Sequence, residues 1–157
     1  MNDKIAIQDC YSSDNAHCWG CGKDHPSGLH LKSYLLEDGS CVMEHTPDAL
    51  YTGGVPENLY GGYIAMLFDC HGTGSAAAFY HHAQQKNIGE GNLDRFVTAH
   101  LEVDFKRPTP LNIMLKIVAH LEEVTPRKVV LRMALYAEEQ LTAEAKMVAV
   151  RFVPKSE

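Results

Sequence analysis

Basic clusters are missing from this chain. Its 14 Lys and Arg residues are outnumbered by 20 Asp and Glu, which leaves a formal net charge of -6 over 157 residues. Nucleic-acid binding rests on clustered cations that neutralise phosphates, so this balance argues against a general nucleic-acid binder, while a few local basic groups could still hold a phosphorylated small ligand. Also missing is any stretch approaching the ~20 apolar residues of a membrane span. The segment Met1-Asn-Asp-Lys-Ile-Ala-Ile-Gln-Asp-Cys10 has neither the basic start nor the apolar run of an export signal. The expectation is a cytoplasmic protein that engages no membrane. Five cysteines (Cys10, Cys18, Cys21, Cys41, Cys70) make an odd set without an export signal, which suits reduced thiols better than a disulfide framework. Internal repeats and low-complexity tracts are absent as well.

With 45% hydrophobic and 22% charged residues, the composition is that of an ordinary globular domain. A single domain over 1–157 can bury a core without staples. Residues 1–28 read as an irregular leader punctuated by Gly20, Gly22, Pro26 and Gly28. Leu29 to Leu36 and Cys41 to Thr46 read as a hairpin across Asp38-Gly39. After a loop over 47–57 comes a helix, then a polar loop over 84–94. Period-two alternation follows in Val97, Ala99, Leu101, Val103 and Phe105, and again in Ile113, Leu115, Ile117, Ala119 and Leu121. Val129 to Leu135 and Leu141 to Val153 complete the strands. Two strands, one helix and four more strands joined by short turns predict an α+β domain, an antiparallel sheet of five to six strands wrapped around one long central helix.

The helix is predicted within Asn58 to His82, about 34 Å if it spans some 23 residues. Ile64, Leu67, Phe68, His71, Ser75, Ala78, Phe79 and His82 draw one stripe for packing on the sheet. Ala65, Gly72, Gly74, Ser75, Ala76 and Ala77 would let helix and sheet approach closely. Gly62, Asp69 and Thr73 fall on another stripe, and Asp69 is the only acid between Glu57 and Glu90. At the helix start, Gly61 and Gly62 offer backbone N–H groups without intrahelical partners, where the dipole favours negative charge; such donors can act as an oxyanion hole. Asp69 would then serve as general base on water, or attack a carbonyl directly. Seven residues separate Gly62 from Asp69, about 10 Å along a helix, so one chain cannot present both to one carbonyl. A twofold dimer with antiparallel helices would.

The motifs Tyr60-Gly-Gly62 with Asp69 nine residues on, Asp69-Cys-His-Gly-Thr-Gly-Ser-Ala-Ala-Ala78 and Val97-Thr-Ala-His-Leu-Glu-Val-Asp-Phe-Lys-Arg-Pro-Thr-Pro110, with the Cys-Trp-Gly-Cys-Gly opening, resemble the hotdog-fold acyl-CoA thioesterases of the phenylacetate-pathway (PaaI-like) type. The resemblance covers almost the whole chain. It implies the hotdog fold, hydrolysis of an acyl-CoA substrate without a cofactor or metal, and an active site shared by the subunits of a homodimer or dimer of dimers. Mapped onto this sequence, it implies catalytic roles for Asp69, Gly62, Gly61 and Thr73. Substrate contacts would come from Tyr60, Asn58 and Thr98, with Arg107 and Arg127 as candidates for the coenzyme A phosphates, and Thr73 and Thr98 are candidates to orient water or the acid. Tyr60 stands where the family usually has His, which keeps open a non-catalytic acyl-CoA or acyl-group binding protein on the same fold.

Three local features have readings of their own. Cys18 and Cys21 have the spacing of a metal knuckle, which His17, His25 or Cys10 could complete; the competing reading is a tight turn that buries two thiols and Trp19 against the domain, and no metal is assigned. Cys70 reads as a buried small hydrophobe. His71 points away from Asp69 and reads as a core or interface residue, while His81 and His82 complement the helix C-terminus.

Overall fold

The computed structural model describes residues 4–155, so Met1 to Asp3 of the leader and residues 156–157 lie outside the described residues. The helix α1 runs Gly61–Ala83. Around it lie β1 (Ser33–Leu35), β2 (Cys41–His45), β3 (Phe96–Phe105), β4 (Leu115–Val124), β5 (Lys128–Ala137) and β6 (Gln140–Arg151). They form one sheet in the order β1-β2-β4-β5-β6-β3, antiparallel at every junction. This is the α+β hotdog architecture, a long helix wrapped by a six-stranded antiparallel sheet. Its chain path puts α1 between a strand near one side of the sheet and β3 at the opposite edge, so the helix must cross the sheet to connect them.

Local chemistry sets the boundaries. Gly39 adopts φ +87 in the β1–β2 turn, a left-handed conformation natural to glycine, and the Ser40 N–H caps the Asp38 carboxylate at 2.9 Å. β1 begins at Ser33, short of the expected Leu29, because the N–H groups of Leu29 and Leu31 donate instead to Trp19 O and Gly20 O at 3.0 Å each. The leader thus occupies backbone groups that a longer strand would have used.

Alternation along β3 changes phase partway, contrary to the unbroken pattern read from the sequence. Thr98 pairs with Ala149 and His100 with Val148, which leaves Ala99 as an extra residue. Before this bulge Phe96 is fully buried while Val97 is exposed; beyond it Leu101 and Val103 pack on the core. One inserted residue exchanges the two faces of a strand. Thr98 therefore shares the helix-facing side with Phe96.

Burial of α1 also departs from the single stripe. Every residue from Cys70 to Phe79 is buried, whereas His82 is exposed. The sheet covers one side, and there a Cβ on Gly72 would lie 2.5 Å from Met147 Cε. The leader covers the other: a Cβ on Gly74 would lie 2.9 Å from Gln8 Nε2. Ile7, Gln8, Cys10 and Tyr11 of the leader are buried in the same core as Leu67, Phe68, Leu131 and Met147. Each large apolar side chain so enclosed contributes about 1.5–3 kcal/mol.

A polar thread runs through this core. Gln8 Nε2 donates to Ser33 Oγ at 3.1 Å, Ser33 N donates to Gln8 Oε1 at 2.7 Å, and Ser33 Oγ lies 2.9 Å from His71 Nδ1. His71 is fully buried, and burial pushes its imidazole down from 6.5 to about 4. His81 is likewise buried and pairs with the Asn87 carbonyl at 3.1 Å, tying the helix end to the following loop.

Two predictions follow from this packing. Phe68→Ala is expected to lower unfolding free energy by about 3–5 kcal/mol, measured by urea denaturation, because the cavity cannot close against a sheet and a helix held on all sides. For His71 the native state resists protonation that the unfolded chain accepts, so stability is full above pH 6.5 and declines as pH falls toward 4. At about 1.4 kcal/mol per pH unit the loss reaches about 3 kcal/mol. His71→Gln should remove that part of the slope, read as the difference between the two proteins' urea midpoints from pH 7 to 4.

Candidate active site

The start of α1 is fixed by aromatic packing. Tyr63, one turn in, is buried and faces Tyr51 at a ring-centroid distance of 4.6 Å and Tyr60 edge-on at 6.0 Å. Its hydroxyl lies 2.5 Å from His45 Nε2 on β2. Burial keeps both partners neutral, lowering the His45 imidazole and pushing the Tyr63 hydroxyl up to about 12. Tyr60 is the residue before the helix, and its carbonyl accepts from Tyr63 N at 3.1 Å and Ile64 N at 3.4 Å. Gly61 and Gly62 are exposed in the first turn, where backbone N–H groups have no intrahelical acceptor. Sequence reasoning passed over Tyr63 and His45; the Tyr60-x-x-Tyr63 spacing was the available signal.

The Tyr60 ring leans on the glycine turn. A Cβ on Gly62 would lie 2.6 Å from Tyr60 Cε2, so glycine is required for this ring position. On the other side, Gly61 borders the Phe105 ring, 3.5 Å from where its Cβ would be. A shallow cavity of about 300 Å³ opens here, lined by Leu59, Gly61, Ile64, Phe105, Arg107 and Thr109. Asn58 contributes backbone rather than side chain: its carbonyl accepts from Gly53 N at 2.8 Å, and it bridges to Pro110. Larger cavities of about 550 and 650 Å³ lie elsewhere, beside Tyr34 and His45 and beside Met114 and Tyr136, with neither the glycine turn nor Asp69 in their walls.

Two helical turns on, Asp69 is half-buried and its Oδ1 accepts a hydrogen bond from Thr98 Oγ1. The β3 bulge puts Thr98 on the side from which it can do this. One carboxylate oxygen is thereby fixed at the open edge of the sheet, leaving the second available. Of the two threonines expected to orient water or the acid, Thr98 is the one on the carboxylate, and Thr73 does not join the pair. Its hydroxyl donates to the carbonyls of Asp69 at 3.1 Å and Cys70 at 3.4 Å, the ordinary back-bonding of a threonine within a helix.

Arg107 and Arg127 are both exposed but lie at opposite ends of the sheet. The Arg107 N–H donates to Thr142 O near the start of β6, whereas the Arg127 carbonyl accepts from Arg151 N at its end. These anchor points are nine residues apart on a strand, about 30 Å. A single chain does not gather them into one phosphate cradle.

Cys18, Cys21 and Cys70 converge behind Asp69, their sulfurs all within 4.8 Å of one another. Cys10, His17 and His25 are not in this cluster: Cys10 Sγ donates to Ala6 O at 3.6 Å, and His25 Nδ1 accepts from Ser27 N at 3.2 Å. Hydrogen bonds from the Cys21 and Cys70 thiols hold Cys18 far below the ordinary thiol range, and Cys21 is correspondingly pushed up to about 12. Arg95, the residue before β3, is partly buried. Its guanidinium sits 5.0 Å over the Tyr11 ring, and although burial opposes its charge, Tyr11 and the three cysteines outweigh that effect.

Residues 57–144 match the sequence model of the thioesterase superfamily. No curated protein matches the chain. Among solved structures, a thioesterase superfamily protein from Shewanella loihica PV-4 is 40% identical, with 93% of this chain and 99% of that one covered and a TM-score of 0.68. The Escherichia coli PaaI protein of the phenylacetic acid degradation operon is 16% identical, with 73% of each chain covered and a TM-score of 0.60. A Streptococcus mutans UA159 protein solved with acetyl CoA is 13% identical, covering 80% of this chain and 91% of that one, at a TM-score of 0.63. No helix among the described residues is long and apolar enough to cross a membrane. The chain belongs to the thioesterase superfamily and shares the hotdog fold of the PaaI protein.

Proposed function

We propose that this protein hydrolyses an acyl-CoA thioester to a free acid and coenzyme A, at sites formed between two subunits. The observation that carries the reading is the Asp69 carboxylate, fixed by Thr98 at the unpaired edge of the sheet in a chain of the thioesterase superfamily. In the reaction the thioester carbonyl accepts hydrogen bonds from the N–H groups at the Gly61-Gly62 turn. Asp69 of the facing subunit takes a proton from water as the oxygen bonds to the carbonyl carbon. Collapse of the tetrahedral adduct breaks the carbon–sulfur bond, and the coenzyme A thiolate leaves. Direct attack by Asp69, followed by hydrolysis of the anhydride, uses the same groups and yields the same products.

The need for two subunits is geometric. The glycine turn and Asp69 are about 10 Å apart on α1, too far to act on one carbonyl. A twofold axis across the β3 edge runs the two β3 strands antiparallel, so the glycine turn of one subunit approaches Asp69 of the other. It also brings the Arg107 end of one subunit toward the Arg127 end of its partner. That remedies the separation of the two arginines in the single chain and supports a shared cradle for the nucleotide phosphates. A dimer of dimers keeps both sites intact.

The position of the Tyr60 ring against Gly62 favours one second reading. If that ring stays over the turn when ligand is present, the carbonyl cannot reach the backbone donors, and the protein binds acyl-CoA without hydrolysing it. Release of free coenzyme A from a panel of acyl thioesters separates the two. The hydrolase reading expects turnover that falls by about 10²–10⁴-fold in Asp69→Ala with dimerisation retained. Tight binding without turnover would replace it with the binding protein.

Two further outcomes test the arrangement. Thr98→Val should lower kcat by about tenfold because it frees the Asp69 carboxylate, and a nearly constant KM separates this positioning role from a direct substrate contact. Arg107→Ala and Arg127→Ala should each raise KM for acyl-CoA roughly tenfold at nearly constant kcat, the mark of lost ground-state phosphate contacts.

A further inference from the structure

We propose that Cys18, Cys21 and Cys70 form a thiolate site for a soft divalent cation, zinc above all, which clamps the N-terminal leader onto α1 beside Asp69. Three sulfurs from two segments some fifty residues apart meet within 4.8 Å, and the Cys18 and Cys70 sulfurs are 3.9 Å apart. Zinc–sulfur bonds of about 2.3 Å in tetrahedral array set neighbouring sulfurs about 3.8 Å apart. The observed spacing is thus close to the edge of a zinc–thiolate tetrahedron. A disulfide would use two of the sulfurs and strand the third, whereas a cation accounts for the convergence of all three.

The surrounding backbone is shaped to this meeting. In the Cys18-Trp-Gly-Cys-Gly22 turn, a Cβ on Gly20 would lie 2.4 Å from Cys70 Sγ, so only glycine lets the turn close over the helix sulfur. At Gly22 a Cβ would strike Ala16 O, Cys18 N and Cys18 O at 2.5–2.6 Å, and the Gly22 N–H donates to Cys18 O at 2.7 Å. The turn is a tight knuckle with Cys18 and Cys21 at its ends. Cys21 and Cys70 are nearly inaccessible to water, while Cys18 is partly exposed and gives the ion an entry path.

Charge also balances. Three thiolates around a divalent cation carry a net charge of about −1, and the Arg95 guanidinium stands beside them over Tyr11. Tyr11 itself is buried with its hydroxyl unpartnered and borders Cys18 and Cys21. Among the described residues no His, Asp, Glu or further Cys joins the three sulfurs, so water or a small anion completes the tetrahedron in this proposal. Binding forms three metal–sulfur bonds and releases the thiol protons to solvent, with no change of oxidation state. The role is structural: Cys70 adjoins Asp69, so the ion fixes the helix turn that carries the carboxylate.

The test uses the full chain purified under reducing conditions, with metal content by mass spectrometry and, after chelation, titration with Zn²⁺ and Co²⁺. The expected result is about one zinc per chain, and cobalt spectra with the sulfur-to-metal charge transfer and intense ligand-field bands of a tetrahedral thiolate site. Cys18→Ser and Cys70→Ser should each lose stoichiometric zinc, while Cys10→Ser and Cys41→Ser, buried outside the cluster, keep it. A folded wild-type protein with five titratable thiols that takes up neither ion would overturn the proposal. So would zinc retained in Cys70→Ser, or a Cys18–Cys21 disulfide in protein purified anaerobically. These readouts are independent of thioester hydrolysis.

Discussion

Where α1 crosses the sheet, its backbone comes so near that a Cβ on Gly72 would meet the end of Met147 at 2.5 Å and Met133 at 3.0 Å. The Gly72-to-Ala78 run supplies this approach, and the rest of the molecule is arranged around it. A helix so deep against the sheet has little freedom to slide or rotate, because interiors pack at crystal-like density and displacing one buried group disturbs many. Its N-terminal turn is consequently held at the His45–Tyr63–Tyr51 cluster, and its middle is held against β3 at Thr98. The two groups proposed for chemistry, the glycine turn and Asp69, sit at fixed places on one rigid element.

That rigidity is why the proposed reaction calls for a second subunit. A helix sets the separation of its own residues, and no side-chain motion brings the Gly62 backbone to Asp69. In the proposed dimer the partner meets the chain at β3, an edge strand whose residues Val97, Ala99 and His100 are exposed beside the half-buried carboxylate. An unpaired edge is ordinarily a liability through its free backbone groups. The proposed pairing about a twofold axis would remove that liability and double the site in one step.

Much of this was legible from residue order, and the exceptions have physical causes. The helix was readable from Ile64, Leu67 and Phe68, and the strands from their alternation. β3 was misread in phase because a bulge depends on the partner strand, here Thr98 and His100 bracketing Ala99 against Ala149 and Val148 of β6. The leader looked polar and irregular, yet Ile7, Tyr11 and Cys21 are core residues, while Trp19, expected to be buried with the thiols, is exposed. Few apolar residues suffice there, since they need only roof a helix already packed on its other side. Thr73 was placed correctly on the Asp69 stripe, but the stripe does not reveal that its hydroxyl bonds the helix backbone. Cys70 looked like one more small apolar residue, because nothing within its own segment indicates a second pair of thiols.

By itself the sequence determined the element order, the α+β class, the isolation of Asp69 in an apolar helix and its distance from the glycine turn. All of these follow from local periodicity and from the fixed rise of a helix. Only the tertiary structure decided that Thr98 rather than Thr73 holds the carboxylate, that Arg107 and Arg127 stand apart, and that Cys70 meets Cys18 and Cys21. Those facts depend on how separated segments approach through space, which is set by packing and strand register rather than by spacing along the chain.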